Sequence, residues 1–280
     1  MKYKLGCQLN YSIESLSTFV FNLRIVDTEH QKILQETLDI NPEKLTIDDY
    51  DTPIVENRYF RVNVPAGKRL ELSYQATVDM CHFYADPNEI AEVQPAQLPV
   101  ETLHYLYPSR YCQSDRLSRL AESEFGSLEP GYSRVTGICN WIFDKVKYQY
   151  GTSNPHTSAF DTATERIGVC RDFAHLGIAF CRAMNIPARF VAGYAYGLEP
   201  PDFHACFEAY LGDRWYLFDP TRLAPQNGIV RIGTGRDAAD VSFATIFGSV
   251  NMDKMDVFID YISDADSQEV PESTTQAIAI

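Results

Sequence analysis

Apolar and polar positions partly alternate through the first hundred residues, in KLGCQLNYSI, STFVFNLRIV, QKILQETLDI, ENRYFRVNVP and KRLELSYQATVDMCHF. These stretches are rich in β-branched and aromatic residues. A period near two suits half-buried strands rather than helices. Asn41-Pro42 and the PAGK of Pro65–Lys68 supply turn chemistry between them. Several such strands without a convincing helix predict a β-sandwich-like domain over residues 1–103. His30, His82 and the DDYD of Asp48–Asp51 read as surface or turn residues, since no calcium-loop spacing follows them.

After a proline-rich linker, DPNEIAEVQPAQLPVETLHYLYPS, the period changes. SDRLSRLAESEFG predicts a helix that starts at Ser114 or Asp115 and stops at Gly126. A second helix is predicted by Val135, Ile138, Ile142 and Val146, and its tail slides into the strand-like KYQY. A third fits Gly168 to Pro187, where Phe173, Leu176, Phe180 and Met184 lie in helical spacing. Its other sides hold Ala174, Gly177, Ile178 and Cys181, so it should be central. Strand patterns follow through ARFVAGYAYG, DFHACFEAYLGDRWYLFDP, GIVRIG and MDVFIDYI. The last stretch is polar until its end and reads as a loose tail. The expected class is α+β: an all-β domain over 1–103, a helix-and-sheet core over 104–263 and a flexible tail over 264–280.

Composition narrows the function classes. The 280 residues carry a formal charge of -14, which repels phosphate backbones and argues against nucleic acid or anionic membrane as partner. No apolar stretch has the length of a signal peptide or a bilayer span, so a cytoplasmic protein is expected. The seven cysteines are widely spaced without a C-x-x-C. That pattern fits reduced thiols better than a disulfide framework or a zinc site.

One thiol stands apart. Cys170 falls at the start of the third helix, where orphan N–H groups and the positive end of the dipole favour a thiolate. The Cys170 N–H could also serve an oxyanion. A buried structural thiol is the competing reading, and Cys181, in mid-helix, fits that description. His175 lies about 140° round the helix from Cys170 and reads as structural.

The hairpin supplies a second pair. A two-residue loop of type II′ wants Gly first, and LGDR offers Gly212-Asp213, with Leu211 opposite Arg214. Counting back along both strands puts Asp219 opposite Cys206, two residues from His204. His204 and Asp219 are then diagonal neighbours on one face, roughly 7–8 Å apart at the backbone and within side-chain reach. An aspartate that orients an imidazole, with a helix-start cysteine facing the sheet, makes a nucleophilic triad.

GVCRDFAHLGIAFCRAMNIPARFVAGY, DFHACFEAYLGDRWYLFDP and GRDAADV resemble bacterial proteins of the transglutaminase-like superfamily, of the cysteine-protease type. The resemblance covers roughly residues 110–250, and the amino-terminal strands resemble the β-domain that often precedes such cores. It implies a papain-like core in which a helix carries Cys and an antiparallel sheet carries His and Asp. By motif, Cys170 would be nucleophile, His204 general base and acid, and Asp219 the orienting carboxylate. The family's usual Trp after the His-Ala pair is Cys206 here. That change could enlarge a pocket, supply a resolving thiol or simply repack the strand.

The implied chemistry is acyl transfer on a protein or peptide amide through a thioester, with no metal or cofactor. Tyr148, Gln149 and Tyr150 are three candidates for a second oxyanion donor. Hydrolysis is the leading expectation, and amine transfer would use the same residues. A non-catalytic scaffold is the reading from a different class. Oligomeric state is not legible in the sequence.

Overall fold

The computed structural model describes residues 1–43, 45–51, 57–263 and 270–280. Its amino-terminal part consists of β1 (Lys2–Ile13), β2 (Ser17–Phe21), β3 (Gln31–Asn41), β4 (Ile47–Asp51), β5 (Arg58–Val64), β6 (Arg69–Met80) and β7 (Phe83–Ala85). Strand β1 buries Tyr3, Leu5, Leu9 and Tyr11, and β6 buries Leu70, Leu72, Tyr74 and Val78. The period of two places each set on one face, against the rings of Phe19, Phe21 and Phe60. The DDYD segment lies on a strand rather than in a turn. Asp48 pairs with Arg61 at 2.7 Å and Asp49 with Arg24 at 2.8 Å, so arginines offset these two carboxylates on an edge strand.

The core follows as α1 (Ser114–Phe125), α2 (Tyr132–Lys145), β8 (Lys147–Tyr148), α3 (Ala159–Glu165), β9 (Ile167–Gly168) and α4 (Cys170–Ala183), and then β10 (Ala188–Ala195), β11 (Phe203–Leu211), β12 (Arg214–Phe218) and β13 (Ile229–Gly235). The last four form an antiparallel sheet in the order β12-β11-β10-β13. Helix α4 is buried on nearly every side, as its composition predicts, and Asn185 ends it in the left-handed conformation. Helix α3 was not expected. Ser158 and Asp161 form a capping box at its start, a local signal that the turn-rich neighbourhood obscures.

The fold is mixed α+β, with an amino-terminal β-rich part and a helix-on-sheet core. Two carboxyl-terminal expectations are corrected. Strands β14 (Ala244–Phe247) and β15 (Val250–Ile262) leave the core sheet: β14 pairs with β2 and β15 with β1 along its whole length. The terminus is also not loose throughout. Over β16 (Ala277–Ala279) it is buried and pairs with β7, because its apolar AIA finds an open strand edge beside the core. Residues 264–269 of the expected tail lie outside the described residues.

Gly177 lets α4 approach the sheet. A Cβ there would lie 2.5 Å from Cε1 of Phe207, whose ring is fixed against Phe218. Gly177→Ala gains at most about 1 kcal/mol of helix propensity, against about 1–3 kcal/mol for overpacking. A net loss of stability of up to about 2 kcal/mol is expected, readable as a lower urea midpoint at unchanged slope.

Candidate active site

The hairpin between β11 and β12 has the expected register: Leu211 pairs with Arg214 and Phe207 with Phe218. Its turn differs in type. Gly212 and Asp213 both have positive φ, +52° and +67°, which defines type I′ rather than II′. Both types join the strands through two residues, so the pairing is the same. Asp219 falls one residue beyond β12, where continuation of the register sets it across from Cys206.

His204 Nε2 and Asp219 Oδ2 are 2.8 Å apart, and both side chains are shut off from solvent. The other carboxylate oxygen of Asp219 accepts from the Thr221 N–H at 2.9 Å and the Thr221 hydroxyl at 2.7 Å. Those two bonds fix the carboxylate and leave Oδ2 for the imidazole. Burial alone would favour neutral His204. The Asp219 charge and hydrogen bond, joined by the Cys170 thiol, win and push its pKa up to about 10. His204 is therefore an imidazolium at neutral pH. Its Nδ1 has no close hydrogen-bond partner, and the Cys170 thiol is the neighbouring group on the ring.

Cys170 is the first residue of α4 and is only partly buried. Val169, at the N-cap position, has no side-chain acceptor. Asp172 reaches back instead and takes the Val169 N–H at 3.0 Å. The Cys170 N–H stays outside the helix ladder and faces the Tyr148 phenol. Burial and the nearby thiol both raise the pKa of that phenol, so it holds its proton. Of the other two candidates, Gln149 has committed its N–H to Gly168 O at 2.9 Å, and Tyr150 is 53% exposed. Tyr150 lies edge-on to Tyr148, with ring centroids 5.4 Å apart.

Cys206 packs among apolar residues with Val191 as its strand partner, and burial drives its thiol well above the ordinary range. Cys181 is likewise fully buried and shifted upward by burial. His175 is neutral: burial, then Arg171 and Arg182, push it well down, and its Nε2 accepts the Ala238 N–H at 3.1 Å. A cavity of about 420 Å³ borders Asp219 between α2 and residues 273–276, but neither Cys170 nor His204 lines it.

Sequence reasoning overlooked Thr221, the Asp172 cap and a buried ion cluster on β11. Glu208 meets Arg189 at 2.5 Å and also Arg231; the two arginines outweigh the burial that would otherwise raise its pKa. The signal was legible, since Glu208 shares one face of a largely apolar strand with His204, and a carboxylate there needs a partner.

A Cys at a helix start, beside a buried His–Asp pair on an antiparallel sheet, defines a transglutaminase-like core. The Transglutaminase-like superfamily pattern matches residues 118–220, and that of the bacterial transglutaminase N-terminal domain matches residues 1–101. The chain belongs to this superfamily. Among solved structures it resembles a candidate cysteine protease from Cytophaga hutchinsonii, with TM-score 0.94 and 44% identity, covering 100% of this chain and 97% of that one. It is also 33% identical over 117 residues to the uncharacterized protein ML0607 of Mycobacterium leprae, across 39% of this chain and 42% of that protein. The uncharacterized Rv2569c of Mycobacterium tuberculosis strain H37Rv is 30% identical over 144 residues, 46% of each. The chain thus spans less than half the length of these curated relatives. Among the described residues no helix is long and apolar enough to cross a membrane.

Proposed function

We propose that the protein is a thiol-dependent acyl-transfer enzyme that opens amide bonds of protein or peptide substrates, with hydrolysis as its main outcome. The observation that carries this reading is the 2.8 Å contact between His204 and Asp219, with the Cys170 thiol beside the same ring. Cys170 Sγ attacks the amide carbonyl with the imidazolium as its counter-charge. The tetrahedral oxyanion takes the Cys170 N–H and the Tyr148 O–H, the two donors that already face each other at the helix start. His204 gives its proton to the leaving amine and the thioester forms. His204 then removes a proton from water, and the acid is released. Asp219 holds the ring throughout, itself held by Thr221. A primary amine in place of water would give transfer by the same steps. Free thiols at all seven cysteines suit a reducing compartment such as the cytoplasm.

A thiol alkylator at neutral pH is expected to label Cys170 at least about 100-fold faster than buried Cys181, and His204→Ala should slow that labelling. Equal, sluggish labelling of both cysteines would leave only the scaffold reading. Amide substrates offered with and without a primary amine then separate hydrolysis from transfer.

A further inference from the structure

Next to the nucleophile is a residue that the chemistry above does not use. Arg171 turns away from the triad and grips the connection between β8 and α3. Its Nη2 donates to Ser153 Oγ at 2.7 Å, to Asn154 O at 2.7 Å and to Thr157 O at 3.4 Å. The same guanidinium reaches Asp172 Oδ1 at 3.2 Å. Asp172, fully buried, accepts from Ser153 Oγ at 3.1 Å while its second oxygen caps α4. Tyr111 closes the far side: its ring lies 5.4 Å from the guanidinium, and its hydroxyl donates to Pro155 O at 2.9 Å.

The segment held this way follows Tyr148, which faces Cys170 and meets Tyr150 edge-on. Its own bonds are short-range: Thr152 Oγ1 to Gln149 O, the Asn154 N–H to Thr157 Oγ1, and the His156 N–H to Asn154 Oδ1. Such contacts shape a loop without placing it against another element. Arg171 and Asp172 place it, and they do so from the first turn of the nucleophile helix. Nη2 reaches Ser153 Oγ and Asn154 O while Nε lies 3.4 Å from Asp172 Oδ1, so the planar guanidinium holds the loop and Asp172 from two nitrogens, which a single ammonium cannot do in the same geometry.

We propose that Arg171 is a positioning residue that fixes the 149–157 segment as one wall of the acyl-binding cleft, and so governs how well extended peptide acyl groups, rather than small ones, reach Cys170. This rests on Cys170 as the nucleophile. Arg171 makes no contact with the reacting atoms, so its effect should scale with the length of what binds along the wall.

The test compares two thiol reagents on the wild type, Arg171→Lys, Arg171→Ala and Ser153→Ala. Iodoacetamide is small and reads the thiol itself; a peptidyl chloromethyl ketone must lie along the wall. In the Arg171 variants the peptidyl reagent should lose at least about tenfold in second-order rate at Cys170, lysine failing to rescue, while iodoacetamide changes by less than about twofold. Ser153→Ala, which leaves the guanidinium its carbonyl partners, should show a smaller loss in the same direction and guards against a misfolded Arg171 variant. Equal change with both reagents, or no change with either, overturns the proposal. Hydrogen exchange over residues 150–157 gives a readout independent of reactivity: protection should fall in the Arg171 variants, and unchanged protection overturns the clamp. Should wild-type Cys170 prove unreactive to iodoacetamide, the nucleophile assignment fails, and the exchange measurement still decides whether Arg171 places the wall.

Discussion

Cys170→Ala is expected to lower amide turnover by roughly 10⁴–10⁶-fold while the fold survives. The size of the loss follows from where the barrier is lowered. Without the sulfur there is no thioester, and the His204–Asp219 pair has only water to activate, without a positioned nucleophile. What remains is binding and the oxyanion donors at Tyr148 and the helix start. The stability change should be small, within about 0.5 kcal/mol, because surface-facing substitutions away from packed contacts rarely cost more. Cys170 is partly exposed at the first position of α4, and alanine is a good helix former there. Cys170→Ser keeps the shape and should also be nearly inactive, since a hydroxyl is far less nucleophilic than a thiol. Turnover of a chromogenic peptide amide, with thermal melts of the same samples, checks both halves. An alanine variant that keeps a tenth of the wild-type rate would show that the chemistry lies elsewhere.

The part of this site that was legible is the part whose determinants are local. Gly212-Asp213 sets the hairpin register within a few residues, and that register carries His204 to Asp219 whichever primed turn is used. Helix α4 was legible because a stretch apolar on all sides has nowhere to sit but the centre. Alternation identified β15 as a strand but carried no information about its partner. Its pairing with β1 joins residues some 250 positions apart in sequence. The AIA of β16 was read with its polar neighbours for the same reason: the strand edge it covers belongs to β7, far back in the chain.

The oxyanion candidates show a finer limit. Spacing could not choose among Tyr148, Gln149 and Tyr150. The structure separates their surroundings: beside the parallel contact of β8 with β9 the Gln149 N–H is taken by Gly168, while the Tyr148 phenol faces the Cys170 N–H. Arg171 was invisible for a similar reason. An arginine after a nucleophile reads as a solvated charge until the 153–157 segment folds back over it. Cys206 settles the other way. Its thiol is closed inside an apolar cluster, which favours packing over redox chemistry.

Asp219→Asn is expected to move the pH behaviour of the proposed reaction, not merely its rate. In the wild type His204 is raised from its ordinary 6.5 to about 10. A raised folded-state pKa means that the imidazolium contributes its full stability below about 6.5 and loses it as pH rises through about 10. The alkaline limb of kcat/KM, which reports loss of that proton from the Cys–His pair, should therefore lie near 10. Asparagine removes the charge that opposed burial, so His204 becomes neutral before neutrality is reached and the limb moves down by several pH units. Near neutral pH the variant should lose roughly 10³–10⁴-fold in kcat, as when a triad carboxylate is neutralised elsewhere. Urea midpoints give a second view. The stability advantage of wild type over Asp219→Asn should be largest at mildly acidic pH, above the carboxylate range, and should shrink as pH rises toward 10. Taking the difference cancels the buried tyrosines and thiols, whose upward shifts on burial are common to both proteins. A pH-rate profile whose alkaline limb stays in place in Asp219→Asn would assign the titrating proton to another group and detach Asp219 from the chemistry.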